Sequence, residues 1–183
     1  MYKSKKPSIK RYKRAKEFLG FIGHIIEDEH FKGLQAHKHH IFFNRYEHLI
    51  NASYLAYRLA KLVKADLETC ALAGLLHDYH FTTLKSYSHA VIAAKNAARF
   101  GVSEEVIEIV RSHMYPLGRG KIDRAKGKNF WVVKVADFSA AIFEVSYSIL
   151  SFSFHPQKIK MKRTILLLEM LENKEETTPK NTL

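Results

Sequence analysis

His77 and Asp78 stand at the end of an apolar run, Ala71-Leu72-Ala73-Gly74-Leu75-Leu76, so a fold that buries this run must bury an imidazole and a carboxylate with it. Such a pair is costly in the interior without a compensating charge, and a bound divalent cation is the usual compensation. The situation recurs along the chain. His48 lies in Tyr46-Glu47-His48, His89 in Tyr87-Ser88-His89-Ala90, His113 in Ser112-His113-Met114, and Asp137 closes Lys134-Val135-Ala136-Asp137.

Helical counting turns these residues toward a common interior. Taken as a helix, Arg45–Val63 carries an apolar stripe through Leu49, Ala52, Leu55, Ala56, Leu59, Leu62 and Val63. His48, Ala52, Leu55 and Leu59 form one row of it at i, i+4, i+7 and i+11. Val106, Val110 and His113 share a face of a later helix, and Val133, Asp137, Ala140 and Ala141 share a face of another. A lone histidine on an apolar face is more often a satisfied core residue than a ligand. The ordered set of six reverses that weighting. Of eleven histidines, His24, His30, His37, His80 and His155 receive no role. The adjacent His39 and His40 read either as a metal or phosphate contact or as part of a polar interhelix loop.

The remaining pattern is helical nearly throughout, with neither strand alternation nor an internal repeat. A first amphipathic helix is expected over 8–26, followed by a short helix or turn to Gln35. Asp66 reads as the N-cap of the helix that ends at His77, and Ser103 with Glu104 and Glu105 starts the helix that ends at His113. A helix from His89 to Arg99 is closed by Gly101, and 114–128, with Pro116, Gly118, Gly120 and Gly127, reads as a long functional loop. A long helix over 129–153 carries Asp137, Pro156 starts another to about Glu172, and 174–183 reads as a disordered tail. Aromatic residues in Phe130-Trp131 and over 147–154 suit either a dimer face or packing between the last two helices. With 183 residues and 46% hydrophobic content, residues 1–173 are expected to form one domain that needs no disulfide. The single cysteine, Cys70, reads as a small core residue and agrees with a reducing, cytoplasmic setting. Neither a membrane span nor a signal peptide is visible in the sequence.

The ordered pattern His48, His77-Asp78, His89, His113 and Asp137 resembles the HD superfamily of metal-dependent phosphohydrolases, over roughly Arg45 to Glu144. In outline it is similar to small stand-alone bacterial members, on Arg45-Tyr46-Glu47-His48, Gly74-Leu75-Leu76-His77-Asp78 and His113-Met114-Tyr115-Pro116-Leu117, and to the HD-class diadenosine tetraphosphate hydrolases. The resemblance implies an all-α helical bundle, here with an added N-terminal and an added C-terminal helix. It also implies two divalent cations. His48, His77, Asp78 and Asp137 would hold one, and Asp78 would bridge to a second held by His89 and His113. His77, Asp78 and Asp137 become the catalytic set, acting through a metal-bound hydroxide on a phosphomonoester or phosphoanhydride. Imidazole and carboxylate ligands without thiolate suit Fe or Mn, with Co, Ni and Zn as alternatives. Family members often place a lysine shortly after the His-Asp pair, whereas this chain has none until Lys85 and lacks a Gly-Tyr-Pro motif, which disfavours a cyclic-di-nucleotide substrate.

Thirty basic residues against eighteen acidic ones give a net charge of +12, which attracts anions. Near the expected site, Arg45, Lys85, Arg119, Lys121, Lys134 and His40 are candidates for binding substrate phosphate, the substrate being a small anion such as a nucleotide. The lysines and arginines of 3–16 and 158–163 support a competing reading, a basic protein that binds nucleic acid or an anionic ligand around a structural or vestigial metal site.

Overall fold

The computed structural model of the chain describes residues 9–39, 43–81, 89–116 and 123–153. Its helices are α1 (Ile9–Ile26), α2 (Glu29–Lys32), α3 (Arg45–Val63), α4 (Leu67–Leu76), α5 (His89–Ala97), α6 (Glu104–Ser112) and α7 (Lys128–Ser153), with short 3-10 turns at Gly33–Ala36 and Ala98–Phe100. No strand forms among the described residues, and none of their helices is long and apolar enough to cross a membrane. The all-α expectation holds, including the added helix α1. The expected C-terminal helix and tail lie outside the described residues, as does the middle of the 114–128 loop with Arg119 and Lys121. Lys85 and His40 are likewise outside them.

Local signals in the sequence set the helix ends. Asn44 and Glu47 form a reciprocal capping box: the Asn44 side chain accepts from the Glu47 amide at 2.8 Å, and Glu47 accepts from the Asn44 amide at 3.2 Å. This fixes the first turn of α3, and with it the placement of Arg45 and His48. Asp66 caps α4 by accepting from the Thr69 amide at 2.7 Å, and Ser103 caps α6 from the Val106 amide. Gly101, at φ +66°, takes the left-handed conformation that stops the 3-10 turn after α5.

α4 is the central element. Every residue from Cys70 to Leu76 is buried, against α1, α3, α6 and α7. Gly74 permits this packing: a Cβ there would lie 2.9 Å from the Ser53 Cα of α3 and 3.2 Å from the Ala56 Cβ. The α3 face toward α4 is correspondingly small, with Ser53, Ala56 and Ala60 fully buried and the Ser53 hydroxyl donating to the Ala71 carbonyl at 2.6 Å.

This contact corrects the stripe read from the sequence. The buried face of α3 runs through Leu49, Ala52, Ser53, Ala56, Tyr57 and Ala60, while Leu55 and Leu59 are half-buried. Leu62 is 78% exposed and Val63 is exposed too. Large leucines do not fit where two backbones approach this closely, so the face rotates toward small residues and Tyr57, which packs on Phe18 of α1. The aromatic pair at the start of α7 also divides, Phe130 turning inward and Trp131 outward.

Candidate metal centre

Five helices deliver the six expected residues to one place. α3 supplies His48 from its first turn. α4 ends in His77 and Asp78, His89 opens α5, His113 follows α6, and Asp137 sits ten residues into α7. The side chains fall into two groups of three, with ligand atoms inside each group all within 4.8 Å of one another: His48, His77 and Asp137 in the first, Asp78, His89 and His113 in the second. Asp137 Oδ1 lies 3.4 Å from His48 Nε2 and 3.2 Å from His77 Nε2. Asp78 Oδ1 lies 3.3 Å from both His89 Nε2 and His113 Nε2, which are 3.1 Å from each other. The two groups adjoin, the His77 ring standing 5.4 Å from that of His48 and 5.3 Å from that of His113.

The imidazoles are oriented from behind. His77 Nδ1 donates to the Gly74 carbonyl at 2.9 Å, His113 Nδ1 to the Val110 carbonyl at 2.7 Å, and His48 Nδ1 to the buried Glu144 carboxylate at 2.9 Å. Carbonyls and carboxylates only accept, so each Nδ1 holds the proton, and in the neutral ring Nε2 presents a lone pair. Those lone pairs face carboxylate oxygens, an arrangement that is repulsive unless a cation or an extra proton lies between. Asp78 Oδ1 sharpens the point, being a buried oxygen without a hydrogen-bond partner among the described residues. Imidazole with carboxylate is a donor set that divalent first-row metals accept, and the residues therefore fit two such ions.

Proton affinities respond to the same geometry. Burial alone would lower the His48 imidazole, but its hydrogen bonds and charge interactions with Asp137 and Glu144 prevail and push it up to about 10. His77 is raised as well, its burial outweighed by the Asp137 and Asp78 carboxylates. Burial opposes ionisation of Asp78 and Asp137, yet the facing imidazoles hold both carboxyls well below their usual range. Imidazoles raised and carboxyls lowered by one another mark a site that favours positive charge. Asp137, at 23% side-chain exposure against 1% for His48 and His77, marks where the first group meets solvent.

Several neighbours of the six were not singled out from the sequence. Glu144 is fully buried two turns beyond Asp137 and also accepts from Asn51 Nδ2 at 2.8 Å. His80, given no role from the sequence, brings Nε2 to 3.9 Å from Asp78 Oδ1. Its burial and the nearby Arg45 charge lower it to about 4, so the ring is neutral. Glu144 is the one charged residue of α7 beyond Asp137 and shares its face, which was the visible cue. His80 follows a loop turn that no periodicity describes. His39 lies close too, its ring 4.3 Å from that of His48.

Two of the phosphate-binding candidates fall within the described residues. The Arg45 guanidinium is buried beside the second group, where Nη1 donates to the His80 carbonyl at 2.5 Å and lies 3.3 Å from its Nδ1. Lys134 Nζ donates to the His113 carbonyl at 2.6 Å, so it braces the chain that follows His113. Cys70 is buried, and that burial pushes its thiol up to about 12, as befits a core residue.

A model of the HD domain family matches residues 45–142. Ribonuclease Y of Cutibacterium acnes is 36% identical over 98 residues, 52% of this chain and 17% of that protein. The tRNA (cytidine(56)-2'-O)-methyltransferase of Thermoplasma volcanium is 33% identical over 67 residues, 37% of this chain and 20% of its own length. The chain thus spans about a fifth or less of these curated relatives. No solved structure matches the chain significantly. The family match covers the helices that bring His48, the His77-Asp78 pair, His89, His113 and Asp137 together, and the chain belongs to the HD domain family, whose members are in general metal-dependent phosphohydrolases.

Proposed function

We propose that the protein hydrolyses a phosphomonoester or phosphoanhydride bond of a nucleotide with two divalent cations, Fe or Mn by preference. His48, His77, Asp78 and Asp137 would hold one ion, and Asp78, His89 and His113 the other. The observation that carries this reading is the set of fixed Nδ1–H donors, which leaves His48, His77 and His113 with Nε2 directed at Asp137 or Asp78. Bound there, such ions supply positive charge to phosphoryl oxygens and lower the pKa of water. The chain supplies the rest. Glu144, the Gly74 carbonyl and the Val110 carbonyl keep the imidazoles in one tautomer, so no reorientation precedes binding. Arg45 places a fixed positive charge at the edge of the second group, near Asp78 and suited to a phosphate oxygen. The other phosphate contacts of this reading are assigned on the sequence alone to Lys85, Arg119, Lys121 and His40, outside the described residues, and to Lys134.

The test joins metal content to turnover. Protein never exposed to chelators is analysed by inductively coupled plasma mass spectrometry, then assayed by chromatography for hydrolysis of nucleoside mono- and triphosphates and of dinucleoside polyphosphates. About two ions per chain are expected, with turnover that falls to the uncatalysed level in Asp78→Ala and Asp137→Ala while the helical signal persists. No bound ion after incubation with each candidate metal would sink the proposal.

One observation favours a second reading. Lys10, Lys13, Arg14, Arg58 and Lys61 line an open groove of about 980 Å³ beside Leu55, Leu59 and Leu62. A polyanion such as RNA suits such a wall, and the name of the ribonuclease relative points to the same substrate class. RNA affinity that drops steeply with salt, survives Asp78→Ala and is lost in Lys10→Ala/Lys13→Ala would support it.

A further inference from the structure

α7 has two unlike faces. One carries Val133, Ala136, Asp137, Ala140, Glu144 and Ser148 toward the core and the ligand groups. On the opposite face Trp131, Val135, Phe138, Ile142, Val145 and Ile149 follow one another at alternating steps of four and three residues, and each is 36–65% exposed. That spacing is the seam of a helix that packs along another helix. Charge touches it only at its start, where the Arg124 guanidinium lies 5.2 Å from the centre of the Trp131 ring; from Val135 to Ser153 the only charges are Asp137 and Glu144, both turned inward. A patch of six half-exposed side chains, two of them large aromatics, amounts to roughly 500 Å² of apolar surface, at the upper end for a solvated monomer.

We propose that the segment Pro156–Glu172 of the same chain covers this seam as an antiparallel helix. It follows α7 after only Phe154 and His155, so its start is held at the Ile149 end at a high effective concentration. A proline suits the first position of a new helix. Seventeen helical residues reach about 25 Å, against about 27 Å from Trp131 to Ile149. The apolar residues fall in register: antiparallel counting from the turn sets Met161 opposite Ile149, Ile165 near Val145, Leu168 near Ile142 and Leu171 opposite Phe138. Charge runs the same way. Lys158, Lys160, Lys162 and Arg163 come beside the negative C-terminal end of α7, and Glu169 and Glu172 extend toward its N-terminal half, where Lys128 and Lys134 lie. A second copy of the chain would cover the apolar seam without matching these charges.

The test uses the full chain with a cysteine placed in the seam. Ile142→Cys is labelled with a maleimide and compared with Glu108→Cys, an exposed position on α6, while the parent chain with its buried Cys70 gives the background. Labelling at position 142 is expected to be at least about tenfold slower than at 108 and unaffected by dilution, then to approach the rate at 108 when Leu168→Glu and Leu171→Glu are added. Equal rates at 142 and 108 in the otherwise unaltered chain would overturn the proposal. So would protection that survives the two glutamates, or protection that vanishes on dilution, which would assign the seam to a second copy. A Phe138→Cys/Leu171→Cys pair provides a check that needs no disruption. It is expected to oxidise to a disulfide within one chain, and failure to close, or closure only between chains, would refute the pairing.

Discussion

Replacing Gly74 by alanine tests whether close approach of α3 and α4 sets the spacing of the ligands. The new Cβ would meet the Ser53 Cα at 2.9 Å, the Ser53 amide nitrogen at 3.2 Å and the Ala56 Cβ at 3.2 Å. Carbon atoms rest at about 3.5–4.0 Å, so the helices must part by roughly 0.5–1 Å, and the obstruction is backbone, which has no rotamer to escape into. Overpacking of this kind costs about 1–3 kcal/mol, while alanine is worth about 1 kcal/mol over glycine inside a helix. The net expectation is destabilisation of up to about 2 kcal/mol, or a melting temperature lower by up to roughly 8 °C for a domain of this size. Gly20, exposed within α1 with nothing inside 4 Å of its would-be Cβ, is the matched control, and Gly20→Ala should stabilise by about 0.5–1 kcal/mol. The displacement also exceeds the ~0.2 Å tolerance of metal–ligand distances, because His77 rides on α4 and His48 on α3. Metal affinity should therefore fall in Gly74→Ala and hold in Gly20→Ala. Thermal melts of metal-free protein and calorimetric metal titrations read both effects. A Gly74→Ala protein that melts at or above the parent and binds metal equally well would show that the contact at Ser53 does not govern the site.

Glu144→Gln should weaken metal binding by about 10–100-fold, since it removes the carboxylate behind His48, and competition against a chelator measures the change; unaltered affinity would remove Glu144 from the site. Because His48 is raised to about 10 and His77 is raised too, metal must displace protons near neutral pH. Calorimetry in buffers of different ionisation enthalpy should thus detect proton release on binding, with affinity climbing from pH 6 to pH 9. For metal-free protein the sign is opposite. Stability from the raised histidines is full below about pH 6.5 and fades as pH rises toward 10, whereas stability from the depressed Asp78 and Asp137 is present above about pH 4 and lost on acidification. Urea titrations should accordingly place the optimum between those limits, and an optimum near pH 9 would contradict the protonated histidines. Asp66→Ala, which deletes the N-cap of α4 at the end remote from His77, should destabilise by about 1 kcal/mol in the same titrations and leave metal affinity untouched.

Helix placement was legible because its determinants are local. Asp66, Ser103 and Gly101 act within a few residues, and the observed ends agree with them to within a residue or two, while the Asn44 cap of α3 emerged only in the structure. The six ligand-type residues were legible for a different reason: ionisable groups at apolar positions conflict with burial, and the conflict shows in one dimension. What periodicity misread was the lower half of α3. Leu62 and Val63 look like core by composition, but which side of a helix is buried depends on its neighbour, and here a glycine on α4 selects Ser53 and Ala56. Glu144 and His80 were missed on similar grounds. Each draws its place from a partner far along the chain, Glu144 from His48 and His80 from Arg45, and no short-range rule encodes such pairings.

His77 and His113 occupy equivalent stations, each the first residue past a helix, each returning its Nδ1 proton to the carbonyl three residues back. Those carbonyls belong to the last turn, where backbone acceptors run out of amide donors, so the two side chains finish the helices as well as facing the carboxylates. The negative ends of α4 and α6 thus converge on one spot, where they offset the positive N-terminal ends of α3 and α5 that deliver His48 and His89. Fraying of either last turn would withdraw a ligand, and a bound ion would resist that fraying. Ion capture and local melting of these two helix ends are thus one equilibrium, and amide exchange in the final turns of α4 and α6 is where occupancy of the site would be written into the backbone.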